Sequence, residues 1–529
     1  MYKHPGVYIE HVPSNMLAIE AASTSITTFV GHIKRGTAVT DKDGAPEFIS
    51  SVSQYAQKFG PLGGGAGGIR NEADKVDAFG HAVNMFFANG GSKAYIVPVA
   101  KAKGTASNGT ATLKEGDVKF TATSPGKWAD GLIARITSDL DGEYTLTLGT
   151  KTGKTEKIKN SADAEVDVDV LDVLETFADL KLDADSGQFI ESRINQSSML
   201  VTAKFTKATP ANPAPTLPLD TEIKGGADST APGDADFQLA FDRLKDHRSI
   251  SIMVLPGLNW KDNKTVYERA ITHAEFMQNR MVLVDPENPV NDAKQLKTPK
   301  DVKDAGFPTS PYSTLYYPYL KVANPFYDAE TAANLPATFE IGPSGMAAGL
   351  WGRIDGARGV WKAPAGLEAT VRGALGPNVL IGNAIQDNLN EWGVNCMRAI
   401  IGPTVVWGGR TLATKSQPQY RYVPVRRTQN MIGESLYNAL QSVVFEPNDH
   451  KLWSGLRAGI GNFMDGLHRA GAFQGEKASD AYFVNCGLGS TMTQGDIDAG
   501  IVRVVVGFAP LKPAEFVVVQ IQQIVAQAA

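Results

Sequence analysis

The residues best placed to do chemistry in this 529-residue chain are a serine and its neighbours in the stretch GPSGMAAG, residues 342–349. A serine in a glycine-rich turn ahead of a small-residue helix is how a strand-to-helix corner presents a nucleophilic hydroxyl. Ser344 would then need a histidine base and an aspartate to orient it. The eight histidines stand at 4, 11, 32, 81, 247, 273, 450 and 468, none in a glycine-rich setting that suggests such a base. Triads assemble in space, so a serine hydrolase stays open as an alternative. The plainer reading makes Ser344 a helix N-cap whose glycine and alanine neighbours allow close helix packing. No catalytic residue is assigned.

Other chemical signals are weaker. The run GPLGGGAGG, 60–68, lacks the Lys-Ser/Thr ending of a phosphate-binding loop, and no acidic ribose partner is placed as a dinucleotide fingerprint requires. Residues 163–172 alternate carboxylates without the glycine turn of a calcium loop, which reads as a solvated edge. No HExxH occurs, and Cys396 and Cys486 stand in no ligand spacing, so no metal and no cofactor are expected. The two thiols read as reduced and buried, in a chain made in a cytoplasm. A net charge of −5 without a basic stripe argues against nucleic-acid binding. The apolar runs are far shorter than the roughly 20 residues that span a bilayer, which argues against membrane insertion. The opening residues MYKHPG lack the apolar core of a secretory signal.

The elements that would position these residues point to an α/β multidomain protein of about three domains. An arm at 1–20 carries Val7, Tyr8, Ile9 and Glu10, a short alternating run that needs a host sheet. Residues 24–31 read as a strand, 50–60 and 75–88 as helices, and 94–99 as a strand, an α/β beginning. From 104 to 226 the texture turns Thr-, Asp- and Lys-rich, with a helix expected at 168–180 and a Pro-rich extended stretch at 208–218. We read this as an inserted, mainly-β surface domain. The α/β texture then resumes with a helix at 237–244, a strand at 250–255, a helix at 264–278 and a strand at 281–284. That rhythm belongs to a parallel sheet covered on both faces. A helix at 344–354, the segment 388–394 and a strand at 399–401 complete one discontinuous α/β domain, 21–103 and 227–425.

The last module, 426–529, begins with two amphipathic helices and ends in two strands, 501–508 and 515–525. A terminal strand with no following cover is an open edge unless something pairs with it. Phe516, Val517, Val518, Val519 and Ile521 make that strand apolar. On a wheel turning 100° per residue, Leu452, Trp453, Leu456, Ile460, Phe463 and Leu467 share one arc of about 100°. The opposite arc holds Lys451, Arg457 and Arg469 with His450, Asp465 and His468. It is a mostly positive face on an acidic chain, suited to an acidic partner, although charged helix faces are commonly just solvated.

Taken in order, these stretches resemble the sheath proteins of contractile phage tails and related injection machines. The likeness is carried by TSITTFVGHIKRG (24–36), NGGSKAYIV (89–97), residues 315–322, PSGMAAGLWGRIDGARGVWKAPA (343–365), NLNEWGVN (388–395), VWGGRTL (406–412) and the run 422–529. That last run includes YVPVRRTQNMIGESL, VVFEPND and APLKPAEFVVVQI. The resemblance implies a subtilisin-like α/β domain without a catalytic triad, an inserted outer domain, and an α+β core domain built with the terminal strands. It also implies a non-enzymatic role: a homo-oligomeric helical sheath in a virion tail, made in the host bacterial cytoplasm. The subunits would stack in typically sixfold rings around an inner tube protein, bounded by baseplate and tail terminator proteins. Contraction would drive the tube through a target envelope. Val7–Glu10 and the 516–521 strand become inter-subunit arms. Lys451, Arg457 and Arg469 become the tube contact. A phage tail, a tailocin and an extracellular injection system remain open.

Overall fold

The computed structural model describes residues 18–33, 35–36, 45–60, 75–101, 110–112, 118–138, 143–159, 164–206, 218–228, 230–413 and 417–520. Eight strands make the central sheet. In spatial order they are Thr404–Trp407, Val394–Ala399, Ser313–Tyr317, Met281–Val284, Ile252–Val254, Thr27–Gly31, Ala94–Pro98 and Glu47–Ile49. The inner six are mutually parallel, and each edge strand joins antiparallel. Strands buried on both faces read as unbroken apolar or β-branched runs, and Met281–Val284 is buried at every residue. Alternate residues enter opposite cores: Phe29 and Ile96 point to one, Val30 and Val97 to the other.

Helices Ala78–Ala88 and Ser344–Arg358 cover the first face, and Asp234–Arg243 and Lys264–Met277 cover the second. The first pair lies backbone to backbone. A methyl group at Gly345 would strike the Ala82 main chain, and one at Gly349 would strike the Phe86 carbonyl. The small residues of GPSGMAAG therefore serve helix packing.

Between Pro98 and Asp234 the chain builds a separate body around Phe120, Trp128, Leu146, Leu148, Ile190 and Ile194. It contains a four-stranded sheet, ordered Leu219–Glu222, Leu132–Ser138, Tyr144–Lys159, Glu165–Leu180. The helix expected at 168–180 is instead part of that last, 16-residue strand. Its apolar residues fit a helical spacing as well, but Val166, Val168 and Val170 alternate with Asp167 and Asp169, a period of two rich in β-branched side chains. Lysines on the facing strand complete the ladder: Lys151 pairs with Asp169 at 2.7 Å and Lys157 with Glu165 at 3.9 Å.

A second correction concerns 399–401. The strand comes earlier, at Val394–Ala399, and Ile401 sits beyond it with φ +49. The C-terminal helices run Val423–Leu440 and His450–Arg469, and a two-stranded sheet, Tyr482–Cys486 with Val504–Phe508, packs on them. The strand expected at 515–525 is absent as far as residue 520: 511–520 carry no regular structure, and among the described residues no strand pairs with them. Residues 521–525 lie outside the described residues, as do Val7, Tyr8, Ile9 and Glu10.

Candidate functional site

Ser344 is the first residue of its helix, and Pro343, not Ser344, takes the N-cap position. Its backbone N–H donates to Asp285 Oδ1 at 3.0 Å and its Oγ donates to Oδ2 at 2.6 Å. Both side chains are buried. Burial pushes the Asp285 carboxyl up to about 7, against the opposing pull of the two Ser344 hydrogen bonds. Gly342 leaves room for that carboxylate, since a Cβ there would overlap it. The hydroxyl is thus committed as a donor to an acid and closed off from solvent. It ties the helix N-terminus to the end of strand Met281–Val284 and is not set up to attack a substrate. Cys396 and Cys486 are both buried free thiols, and burial raises Cys396 to about 12. Among the described residues no cluster of His, Cys, Asp and Glu has the form of a metal site, and no helix is long and apolar enough to cross a membrane.

The features that converge belong instead to the C-terminal module. Buried polar contacts lock the Val423–Leu440 helix onto the α/β body. Arg427 Nη1 donates to Asp355 Oδ1 at 2.9 Å and its Nη2 to the Thr24 carbonyl at 3.0 Å, while its guanidinium lies 4.3 Å from the Trp351 ring centroid. Arg426 lies between the Tyr312 and Tyr420 rings, 4.6 Å from each. Glu434 takes Arg248 and the Asn279 amide. Arginine at buried pairs is favoured because its planar fork satisfies several acceptors at once. The sequence displays Arg426-Arg427 openly, but nothing in it names their distant partners.

On helix His450–Arg469, Trp453, Leu456, Ile460, Met464 and Leu467 are buried. Lys451, Arg457 and Arg469 are exposed, although two have partners in their own chain. Arg457 Nη1 donates to the Cys486 carbonyl, and Arg469 pairs with Asp465. Lys451, Gly455, Ala458, Asn462, Gly466 and Arg469 are all exposed and recur at helical spacing, forming a flat small-residue stripe with a cation at each end. Arg457 lies off that stripe.

The arm leaves the module at Glu515. Arg410 Nε donates to Glu515 Oε1 at 2.9 Å, and the Tyr422 hydroxyl donates to Oε2 at 3.1 Å. Immediately beyond, Phe516, Val517, Val518 and Val519 are 75–82% exposed, four consecutive large apolar residues with nothing over them. Such a run marks a contact surface in a soluble protein. The sheet that precedes it in the chain, Tyr482–Cys486 with Val504–Phe508, has two strands, so each keeps one edge that meets no other strand among the described residues.

Residues 415–524 match the phage tail sheath C-terminal domain. Solved structures share the fold over 91–99% of the chain. It is similar to the sheath of the PVC extracellular contractile injection system in its contracted state (22% identical, 99% of this chain and 98% of that chain, TM-score 0.56). It is also similar to the contracted helical sheath of the anti-feeding prophage (21% identical, 99% and 100%, TM-score 0.57). The sheath tail protein of Desulfitobacterium hafniense is 13% identical over 91% of this chain and 93% of that chain, with a TM-score of 0.58. No curated protein matches the chain. At these identities the shared property is the fold, a mixed α/β architecture of several sheets.

Proposed function

We propose that the chain is a structural subunit of a contractile tail sheath. It polymerises in helically stacked, typically sixfold rings around an inner tube and contracts to drive that tube through a target envelope. The observation that carries this reading is the incompleteness of the C-terminal module. A two-stranded sheet with open edges precedes an apolar arm that has no partner among the described residues. Strand addition between copies would complete both at once. Pairing of this kind is heterologous, so it propagates as a helix instead of closing. Val7, Tyr8, Ile9 and Glu10 at one terminus and Phe516–Ile521 at the other are the arms. The match of 415–524 and the fold shared with contracted sheaths support the same conclusion.

On this reading the chain divides into an arm at 1–20, a discontinuous subtilisin-like domain at 21–103 and 227–425, an outer domain at 104–226 and a core domain at 426–529. The six parallel strands and the serine at the head of a helix support the subtilisin-like description, and the buried Ser344–Asp285 pair supports a role without catalysis. The stripe from Lys451 to Arg469 faces an acidic tube protein. Exposed ion pairs are each worth roughly 0–1 kcal/mol, weak enough for a surface that must let go. Baseplate and terminator proteins bound the stack. Contraction is a repacking from a kinetically trapped extended state and consumes no nucleotide. The assembly is a virion tail, or equally a tailocin or extracellular injection machine, made in a bacterial cytoplasm.

Electron microscopy of the purified chain tests this. Helical tubes are expected from the full chain, and soluble monomers from one lacking 515–529. Tubes from the truncated chain would refute strand exchange.

A further inference from the structure

The loop joining the two C-terminal helices displays a phenylalanine that the fold of one chain does not explain. Phe445 is fully exposed, with Val444 exposed beside it. Its φ of +74 lies in the left-handed region that bulky residues rarely enter. The surroundings hold it there. The Glu446 N–H donates to the Val443 carbonyl at 3.2 Å. Asn448 accepts the Trp453 indole N–H at 2.8 Å and donates to the Ile501 carbonyl at 3.3 Å. A strained backbone kept rigid so that an aromatic ring faces solvent has the form of a contact device. Glu446 and Asp449 are exposed beside it, and Asp449 also caps the following helix by accepting the Leu452 N–H at 2.8 Å.

Helix His450–Arg469 separates this knob from a hole at its other end. Ala470 and Gly471, just past its far end, form part of the wall of a cleft of about 1250 Å³ that also contains Trp361 and Trp407. Cationic side chains outnumber acidic ones around the cleft by six to three, and Lys362 and Arg421 are among them. A 20-residue helix is about 30 Å long, so Phe445 cannot reach the cleft of its own chain.

We propose that Phe445, flanked by Glu446 and Asp449, docks in the Trp361–Trp407 cleft of a second copy of this chain. Aromatic anchors in desolvated pockets carry most of the binding energy of an interface, and here the charges of loop and cleft are complementary. Because knob and hole lie at opposite ends of one helix, the contact is head-to-tail and propagates from copy to copy. It rests on the reading of the chain as a polymerising sheath subunit.

The test places a photo-reactive benzoyl-phenylalanine at position 445 in full-length protein assembled into tubes. Irradiation should yield covalent dimers in which 445 is joined to peptides containing Trp361 or Trp407. In parallel, Phe445→Ala should raise the protein concentration needed for tubes by about tenfold or more, with the circular dichroism of the unassembled chain unchanged. Cross-links to other peptides, or Phe445→Ala tubes at the wild-type concentration, overturn the docking while leaving the sheath reading intact. A wild-type chain that forms no tubes removes both.

Discussion

Arg410 and Glu515 meet across 105 residues of sequence in a largely buried ion pair, at the point where the C-terminal arm departs from the molecule. Tyr422 adds its hydroxyl to the same carboxylate, so three elements converge on one side chain. The apolar run that follows is thus held at its root while Phe516, Val517, Val518 and Val519 stay exposed.

Removing one member of such a pair leaves the other charge buried and alone, which costs about 3–5 kcal/mol when burial is complete. Glu515→Ala should therefore lower stability by somewhat less, about 2–3 kcal/mol, measured by urea titration of the unassembled chain. The same variant should make the arm cut faster in limited proteolysis. An unchanged midpoint would show that the clamp contributes nothing to the fold.

Asp285 gives the protein a defined response to pH. Its carboxyl titrates at about 7 in the folded chain against an ordinary 3.8. The folded form therefore holds the proton more tightly than the unfolded form does. Its contribution is greatest below about 4 and is lost progressively as the pH rises to about 7. Asp285→Asn should flatten this decline and raise the melting temperature at pH 8 relative to wild type. Thermal melts at pH 5, 6.5 and 8 check both effects.

Two groups of glycines should respond in opposite directions. Gly345→Ala or Gly349→Ala forces a methyl group into the main chain of the facing helix and should cost about 1–3 kcal/mol. Gly455 and Gly466 lie in a helix interior with open space around them, so alanine there should stabilise the free chain by about 0.5–1 kcal/mol each. If the stripe they share with Lys451 lies against a tube, the added methyls should impair assembly on the tube even as they stabilise the subunit. Urea titration and tube co-sedimentation report the two quantities separately.

Reversing Lys451, Arg457 and Arg469 to glutamate should block assembly on the tube and spare tube-free polymers. Because Arg457 is engaged with the Cys486 carbonyl and lies off the stripe, its single reversal should matter least for the tube and most for stability. Equal tube losses from the three single variants would contradict the stripe.

Much of the central sheet was legible because a buried parallel strand has few alternatives: Met281–Val284 and Thr27–Gly31 are apolar or β-branched throughout and bounded by turn signals. Within the 16-residue strand Glu165–Leu180, residues 168–180 read as a helix from sequence because their Val, Leu and Phe residues satisfy two periods at once. What decides between those periods is the lysine ladder on the neighbouring strand, which no window on one segment contains. For the same reason Ser344 reads as an N-cap from sequence: its partner, Asp285, lies 59 residues away. Lys451, Arg457 and Arg469 are exposed, but a helical wheel cannot separate a cation free for a partner from one already held. The Arg410–Glu515 clamp left no local trace at all.

The layout of the main sheet has one further consequence. Strand Thr27–Gly31 lies between Ala94–Pro98, from which the chain departs into its second body, and Ile252–Val254, to which it returns. The three strands are parallel, so the chain leaves one at its far end and enters the other at its near end, crossing back along helix Asp234–Arg243. Val99 at the exit and Phe237 in that helix lie in the same core, so everything between Pro98 and Asp234 hangs from two points that this core holds. A domain of unrelated sequence whose own ends match those two points could replace the present one, with each sheet register kept.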